Sequence, residues 1–85
     1  MNILFTEESW EDYLHWQATD KTILKRVNQL ICDIQRDPFS GIGKPEPLKF
    51  QLKGCWSRRI DQEHRLVYEV EKNDLRIISC RYHYK

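Results

Sequence analysis

Apolar residues recur at two different spacings along this 85-residue chain, and the change from one to the other divides it in two. A short apolar run, Asn2 to Phe5, comes first, with Ile3 and Phe5 on one side as in a strand. Thr6 then supplies a helix N-cap, and Glu7 and Glu8 place negative charge in the first turn, where the helix dipole favours it. Trp10, Tyr13, Leu14 and Gln17 share one face of a helix predicted from about Glu7 to Gln17. This stripe puts Trp10 and Tyr13 in the core and leaves His15 and Trp16 off it. Thr19 or Asp20 caps a second helix, with Ile23, Leu24, Val27, Leu30, Ile31 and Ile34 on one side and Lys25, Arg26, Asn28, Gln29, Asp33 and Arg36 on the other. It ends before Asp37-Pro38, because the residue preceding proline is pushed away from helical dihedrals. So short a link predicts an antiparallel helix hairpin.

Pro38 to Pro47 carries all three prolines and two of the three glycines, and predicts a surface loop. Beyond it the spacing is two, the mark of strands with one buried face. Leu48, Phe50 and Leu52 alternate with Lys49, Gln51 and Lys53; Trp56 and Ile60 oppose Ser57, Arg59 and Asp61. Leu66, Tyr68 and Val70 then oppose Arg65, Val67 and Glu69, and in a last strand, Leu75 to Tyr84, Ile78, Cys80 and Tyr82 oppose Ser79, Arg81 and His83. Assigning each apolar side to the helix hairpin collects Lys49, Gln51, Arg59, Arg65, Arg81 and His83 on the other face. Arg58, Leu75 and Ile77 break the pattern. Turns at Gly54, Asp61 to His64 and Lys72 to Asp74 make an antiparallel meander. For Ile60 and Leu66 to share the core face, the second turn must leave an odd number of residues unpaired, which sets Arg59 beside Arg65.

The predicted fold is therefore α+β: an N-terminal strand, a two-helix hairpin and an antiparallel sheet in one domain, residues 1–85. A chain this short buries only about 60–65% of its surface on folding, so its core is small. With 40% apolar and 32% charged residues, no candidate membrane span and no secretory leader, the expectation is a soluble, cytoplasmic protein. Cys32, Cys55 and Cys80 are odd in number, lack C-x-x-C spacing, and are expected to be small buried hydrophobes. His15, His64 and His83 are dispersed, so no metal-ligand spacing appears and neither metal nor cofactor is expected. Net charge is +1, unevenly spread: four Lys/Arg against seven Asp/Glu in residues 1–40, a balance of −3, and ten against six in residues 41–85, a balance of +4. The second half suits a polyanion better than the first.

Within the loop, Pro45 and Pro47 flank Glu46 and restrict its backbone. The ending Arg81-Tyr82-His83-Tyr84 gathers a guanidinium, an imidazole and two phenols. Taken on its own strand, His83 reads as surface. On a face with several arginines and across from a constrained carboxylate, it acquires chemistry. Cations suit a phosphodiester backbone. Glu46 as base and His83 as acid add the minimum for RNA cleavage: the carboxylate takes the 2′-hydroxyl proton, that oxygen attacks phosphorus, and the imidazolium protonates the departing 5′-oxygen. Arg65, with Arg59 and Lys49, stabilises charge on the phosphoryl oxygens. Tyr84 stacks on a base or orients the phosphate.

Several segments also carry a resemblance. Gly43-Lys44-Pro45-Glu46-Pro47-Leu48, Trp56-Ser57-Arg58-Arg59-Ile60, Glu63-His64-Arg65-Leu66-Val67-Tyr68, Cys80-Arg81-Tyr82-His83-Tyr84 and the opening Glu7-Glu8-Ser9-Trp10 closely resemble the YoeB family of RelE-like toxins. The likeness runs over essentially the whole chain. It implies a microbial-ribonuclease-like fold and a messenger-RNA interferase that cuts in the ribosomal A site, inhibits translation and is neutralised by a YefM-like antitoxin; a homodimer is compatible with it. It implies Glu46 as general base, Arg65 as transition-state stabiliser, His83 as general acid, Tyr84 as an orienting group, and Lys49 and Arg59 as phosphate contacts; Arg81, on the same predicted face, joins the phosphate-binding set. Lys85 departs from the family pattern, which stops at the tyrosine, and brings one more cation to the chain end. Two other functions fit the same scaffold: a noncatalytic nucleic-acid- or protein-binding toxin, which would lack the Glu46 and His83 pair, and a co-repressor acting through its antitoxin.

Overall fold

One residue both ends the first helix and starts the second. In the computed structural model, which describes residues 1–82, helix α1 (Glu7–Thr19) stops where the backbone N–H of Asp20 donates to the Trp16 carbonyl. The Asp20 carboxylate then accepts from the N–H groups of Thr22 and Ile23 at 3.1 Å each, capping helix α2 (Lys21–Arg36). Thr6 caps α1 as expected, its hydroxyl oxygen accepting from Ser9 N–H. Helix α2 buries the predicted stripe, with Val27, Leu30, Ile31 and Ile34 in the core.

Helix α1 corrects the sequence expectation. Trp16 is 5% exposed and lies in the core, whereas Trp10 is 48% exposed and stacks on Tyr13 at the surface. The buried face of α1 runs through Ser9 and Trp16, with half-buried Asp12 between, and two of these three are polar. Each finds a backbone partner in or just after the last strand: the Ser9 hydroxyl donates to Ile77 O (2.7 Å), Asp12 Oδ2 accepts from Cys80 N–H (3.0 Å), and the Trp16 indole donates to Cys80 O (2.8 Å). A face secured by hydrogen bonds leaves little apolar period to read.

The sheet has five strands, β1 (Asn2–Phe5), β2 (Glu46–Pro47), β3 (Trp56–Arg59), β4 (Arg65–Glu71) and β5 (Asp74–Ser79), in the order β1-β5-β4-β3-β2. Strands β2 to β5 form the expected antiparallel meander, while β1 adds to β5 in parallel and makes the sheet mixed. Trp56 opposes Tyr68 and Arg59 opposes Arg65, the register that parity required. Asp61 shapes the intervening turn, its Oδ1 accepting from the N–H groups of Glu63 (2.8 Å) and His64 (2.7 Å).

Three strand expectations are overturned. Leu48 to Leu52 is not a strand: β2 ends at Pro47 and Phe50–Leu52 forms a 3-10 turn with Phe50 at φ +58°. Leu48 and Leu52 do not pack under the helices; with Cys55, Val67 and Ile78 they make a second apolar cluster on the opposite sheet face. Strand β5 carries a bulge, since Val67 opposes Ser79 while its neighbour Tyr68 opposes Ile77. Ile78 is the extra residue, so Leu75 and Ile77 face the helices before it and Cys80 after it. This shift of parity explains why Leu75 and Ile77 broke the pattern. Tyr82, expected in the core, is 56% exposed. The cysteines divide: Cys55 and Cys80 are buried, Cys32 is exposed. Burial, with a smaller push from the Asp12 carboxylate, raises the Cys80 thiol to about 12.

Arg58 broke the alternation because it belongs to the buried side and is fully buried. All five of its N–H donors are placed: Nε on Tyr68 Oη (3.2 Å), Nη1 on Asp33 Oδ2 (2.5 Å) and Ile42 O (3.1 Å), Nη2 on Asp37 O (2.6 Å) and Ser40 O (3.1 Å). One side chain thus ties β3 to α2 and to the loop that leads to Glu46. Arg58→Lys offers three donors in one compact group, leaves acceptors unmet, and is expected to lower stability by about 2 kcal/mol or more, read as a fall in the urea unfolding midpoint.

The same loop sets the acid response. The Arg36 guanidinium, then Arg58 and the Ile42 N–H, hold Asp33 well below the usual carboxylate range; the Phe39 N–H and the Ser40 hydroxyl lower Asp37. Both groups bind fewer protons folded than unfolded. Their contribution is complete above the unfolded carboxylate value of about 4 and is lost as pH falls below it towards the folded values. Urea midpoints should stay level from about pH 7 to 5 and drop below about pH 4, with Asp33→Asn flattening that drop.

Candidate active site

Directly opposed residues of a sheet share a face, so the register places the site residues. Glu46 opposes Ser57, Ser57 opposes Val67, and Val67 opposes Ser79. Val67 packs in the second cluster, away from the helices, so this whole row lies on the helix-free face. Arg59 and Arg65 oppose each other two residues along from Ser57 and Val67, and fall on that face too. Glu46 and Arg59 are diagonal neighbours, about 7–8 Å apart at Cα, within reach of long side chains meeting on one group.

The strands impose different surroundings. Glu46 is exposed on its two-residue strand. Three residues before it Gly43, at φ +80°, lets the chain pack close against β3 and α2: its carbonyl accepts from Arg59 N–H at 2.7 Å, and a Cβ there would stand 2.8 Å from Leu30 Cδ2. Arg59 is exposed, whereas Arg65 is buried at the start of β4, with Nη1 donating to the carbonyls of Asp61 (2.7 Å) and His64 (3.0 Å). Nη1 thus anchors the guanidinium to the turn that precedes β4.

Lys49 and Gln51 stand on the turn after β2 rather than on the sheet, yet they line a groove of about 500 Å³ together with Glu46. Phe50, 87% exposed, lines it as well; neither its exposure nor its left-handed backbone was legible in an alternating run. A larger groove of about 820 Å³ runs along α2 and holds none of the candidate catalytic residues. Arg81 does not line up with Arg59 and Arg65. Its guanidinium lies 4.6 Å from the Tyr82 ring centre and 6.0 Å from that of Trp16 in the helix layer; β5 ends at Ser79, so strand alternation does not extend to Arg81. His83 and Tyr84 lie outside the described residues.

Sequence reasoning passed over His64. It is buried, packs edge-on against Trp16 at 4.8 Å, and accepts the Tyr82 N–H on Nδ1 at 2.7 Å. Its place after a turn, next to a candidate catalytic arginine, was the available signal. Among the described residues, no three His, Cys, Asp or Glu side chains cluster as metal ligands. Nor, among these residues, is any helix long and apolar enough to cross a membrane.

A two-helix layer on one side of a mixed sheet, with a carboxylate and two arginines on the other face, defines a small α+β protein. Comparison makes the assignment specific. A sequence profile for the YoeB-like toxin of bacterial type II toxin-antitoxin systems matches residues 5–84. The chain is 65% identical to Toxin YoeB of Synechocystis sp. over 85 residues, which is 100% of this chain and 99% of that one. Among solved structures it is similar to the YoeB/ParE toxin from Agrobacterium tumefaciens, with TM-score 0.97 and 49% identity over 99% of this chain and 100% of that one. It is also similar to the toxin in the YoeB-YefM complex from Staphylococcus aureus, with TM-score 0.92 and 48% identity over 99% and 98% of the two chains. This chain belongs to the YoeB-like family of bacterial type II toxins.

Proposed function

We propose that this toxin is a messenger-RNA endoribonuclease that cuts in the ribosomal A site and so inhibits translation, working in the cytoplasm. The observation that carries the chemistry is the register: Glu46 sits on the same helix-free face as Arg59 and Arg65, one diagonal step from the first. A face meant only to bind phosphate would gain nothing from a carboxylate there, which favours cleavage over a noncatalytic binding or co-repressor role. Glu46 removes the proton from a 2′-hydroxyl; the oxygen attacks the adjacent phosphorus and displaces the 5′-oxygen, which takes a proton from His83. Arg65 receives the charge that builds on the phosphoryl oxygens, with Arg59 and Lys49 holding the backbone and Arg81 a more distant phosphate. Tyr84 orients the phosphate or stacks on a base. Both proton transfers are assigned to side chains, and no cofactor is called on.

The partners proposed are the ribosome with its message and a YefM-like antitoxin, supported by the Staphylococcus aureus relative seen in a YoeB-YefM complex. A toxin homodimer is the other assembly proposed. In a purified translation system, the message should be cut when ribosomes engage it, and a cognate YefM-like antitoxin should abolish cutting. Equal cutting of the same RNA without ribosomes would reject the ribosomal part of this reading; no cutting in either condition would favour the noncatalytic alternative.

A further inference from the structure

We propose that His64 is a positioning residue whose ring, through Nδ1, fixes the Tyr82 peptide and thereby the point from which the proposed acid, His83, departs. The inference rests on the assignment of His83 as that acid. His64 is 7% exposed, its backbone N–H is held by Asp61 Oδ1, and its ring is packed edge-on by Trp16. Because Nδ1 accepts the Tyr82 N–H at 2.7 Å, Nδ1 carries a lone pair and the ring proton resides on Nε2. The Tyr82 carbonyl in turn accepts from Arg65 N–H at 3.0 Å. Two consecutive residues therefore hold both polar groups of the Tyr82 backbone.

The clamp answers a question that burial leaves open. Tyr82 adopts φ +65°, a left-handed conformation uncommon for a tyrosine, which persists only where the surroundings over-determine it. Its side chain is 56% exposed, so core packing does not supply that constraint. The backbone bonds do, joined by the Arg81 guanidinium over the Tyr82 ring at 4.6 Å. His83 is the next residue in the chain. The carbonyl of His64 also accepts from the Arg65 guanidinium, so one residue ties the chain end and the transition-state cation to the same turn. An acid misplaced by about 1 Å can cost two orders of magnitude in rate, which gives such a clamp its value.

The test compares His64→Asn, His64→Gln and His64→Ala with His83→Ala. Asparagine Oδ1 takes the place of Nδ1 and restores the acceptor; the glutamine carbonyl reaches towards the Nε2 position and does not. Cleavage of a ribosome-engaged message should fall roughly 10- to 100-fold in the Ala and Gln variants and stay close to wild type in Asn. Glutamine fills the cavity beside Trp16 better than asparagine, so a packing role alone predicts the opposite order. Hydrogen exchange at the Tyr82 amide supplies a readout free of catalysis, with protection expected in wild type and Asn and lost in Ala and Gln. Equal cleavage by Asn and Gln, or unchanged Tyr82 protection in Gln, overturns the proposal while loss of cleavage in His83→Ala leaves the acid in place. Full cleavage by His83→Ala overturns the acid assignment and the clamp's catalytic role with it.

Discussion

Glu46→Gln is expected to reduce cleavage of a translated message by about 10²- to 10⁴-fold, the usual contribution of one positioned proton transfer. Glutamine keeps the size and polarity of the side chain and removes its basicity. The change falls on an exposed residue, and the unfolding midpoint measured alongside separates a loss of chemistry from a loss of fold. His83→Ala should give a loss of the same order. If base and acid act within one displacement, the double variant loses far less than the product of the two single losses. Cleavage within about threefold of wild type in Glu46→Gln would remove the carboxylate from the mechanism, since even the low end of the expected range is about 10².

Arg65→Ala should cost about 10²- to 10³-fold, the range for deleting one preorganised donor to a developing oxyanion. Arg65 is buried, and its Nη1 contacts with Asp61 O and His64 O fix the guanidinium before substrate arrives. Arg65→Lys should recover only part of this. An ammonium that satisfies those two carbonyls cannot also present a planar fork to phosphate. Because the alanine variant also loosens the turn, the decisive comparison is Arg65→Lys at unchanged unfolding midpoint. Full activity there would assign Arg65 to structure. Arg59→Ala, at an exposed position, is the control and should lose less.

Much of this arrangement was legible in the sequence. The pairing of Arg59 with Arg65 followed from parity, because only an odd turn keeps Ile60 and Leu66 on the core side. The restricted Glu46 between Pro45 and Pro47 was visible too, as was the apolar stripe of α2. What failed did so for identifiable physical reasons. The inner face of α1 is secured by Ser9 and Asp12 through hydrogen bonds to Ile77 of β5 and to Cys80 just past it, so its apolar period pointed to Trp10 instead of Trp16. Leu48 and Leu52 alternate like a strand yet fill a small cluster on the second sheet face, a layer that one-sided patterning does not anticipate. The bulge at Ile78 shifts parity within β5, and because β5 ends at Ser79 the alternation no longer fixes Arg81, whose guanidinium lies 6.0 Å from the Trp16 ring centre. Arg58 looked like an error in the pattern because a fully buried arginine is rare; its five filled donors make it the anchor of the loop that presents Glu46.

The central claim is that Glu46, Arg65 and His83 drive attack by the 2′-oxygen. The most direct measurement is the chemistry of the ends left on a translated message after exposure to the toxin. The mechanism predicts a 5′-hydroxyl on the downstream fragment and a 2′,3′-cyclic phosphate, or its 3′-phosphate hydrolysis product, on the upstream one, with neither formed by Glu46→Gln. A 5′-phosphate on the downstream fragment would mean that water, and not the neighbouring hydroxyl, attacked phosphorus, and would contradict the account.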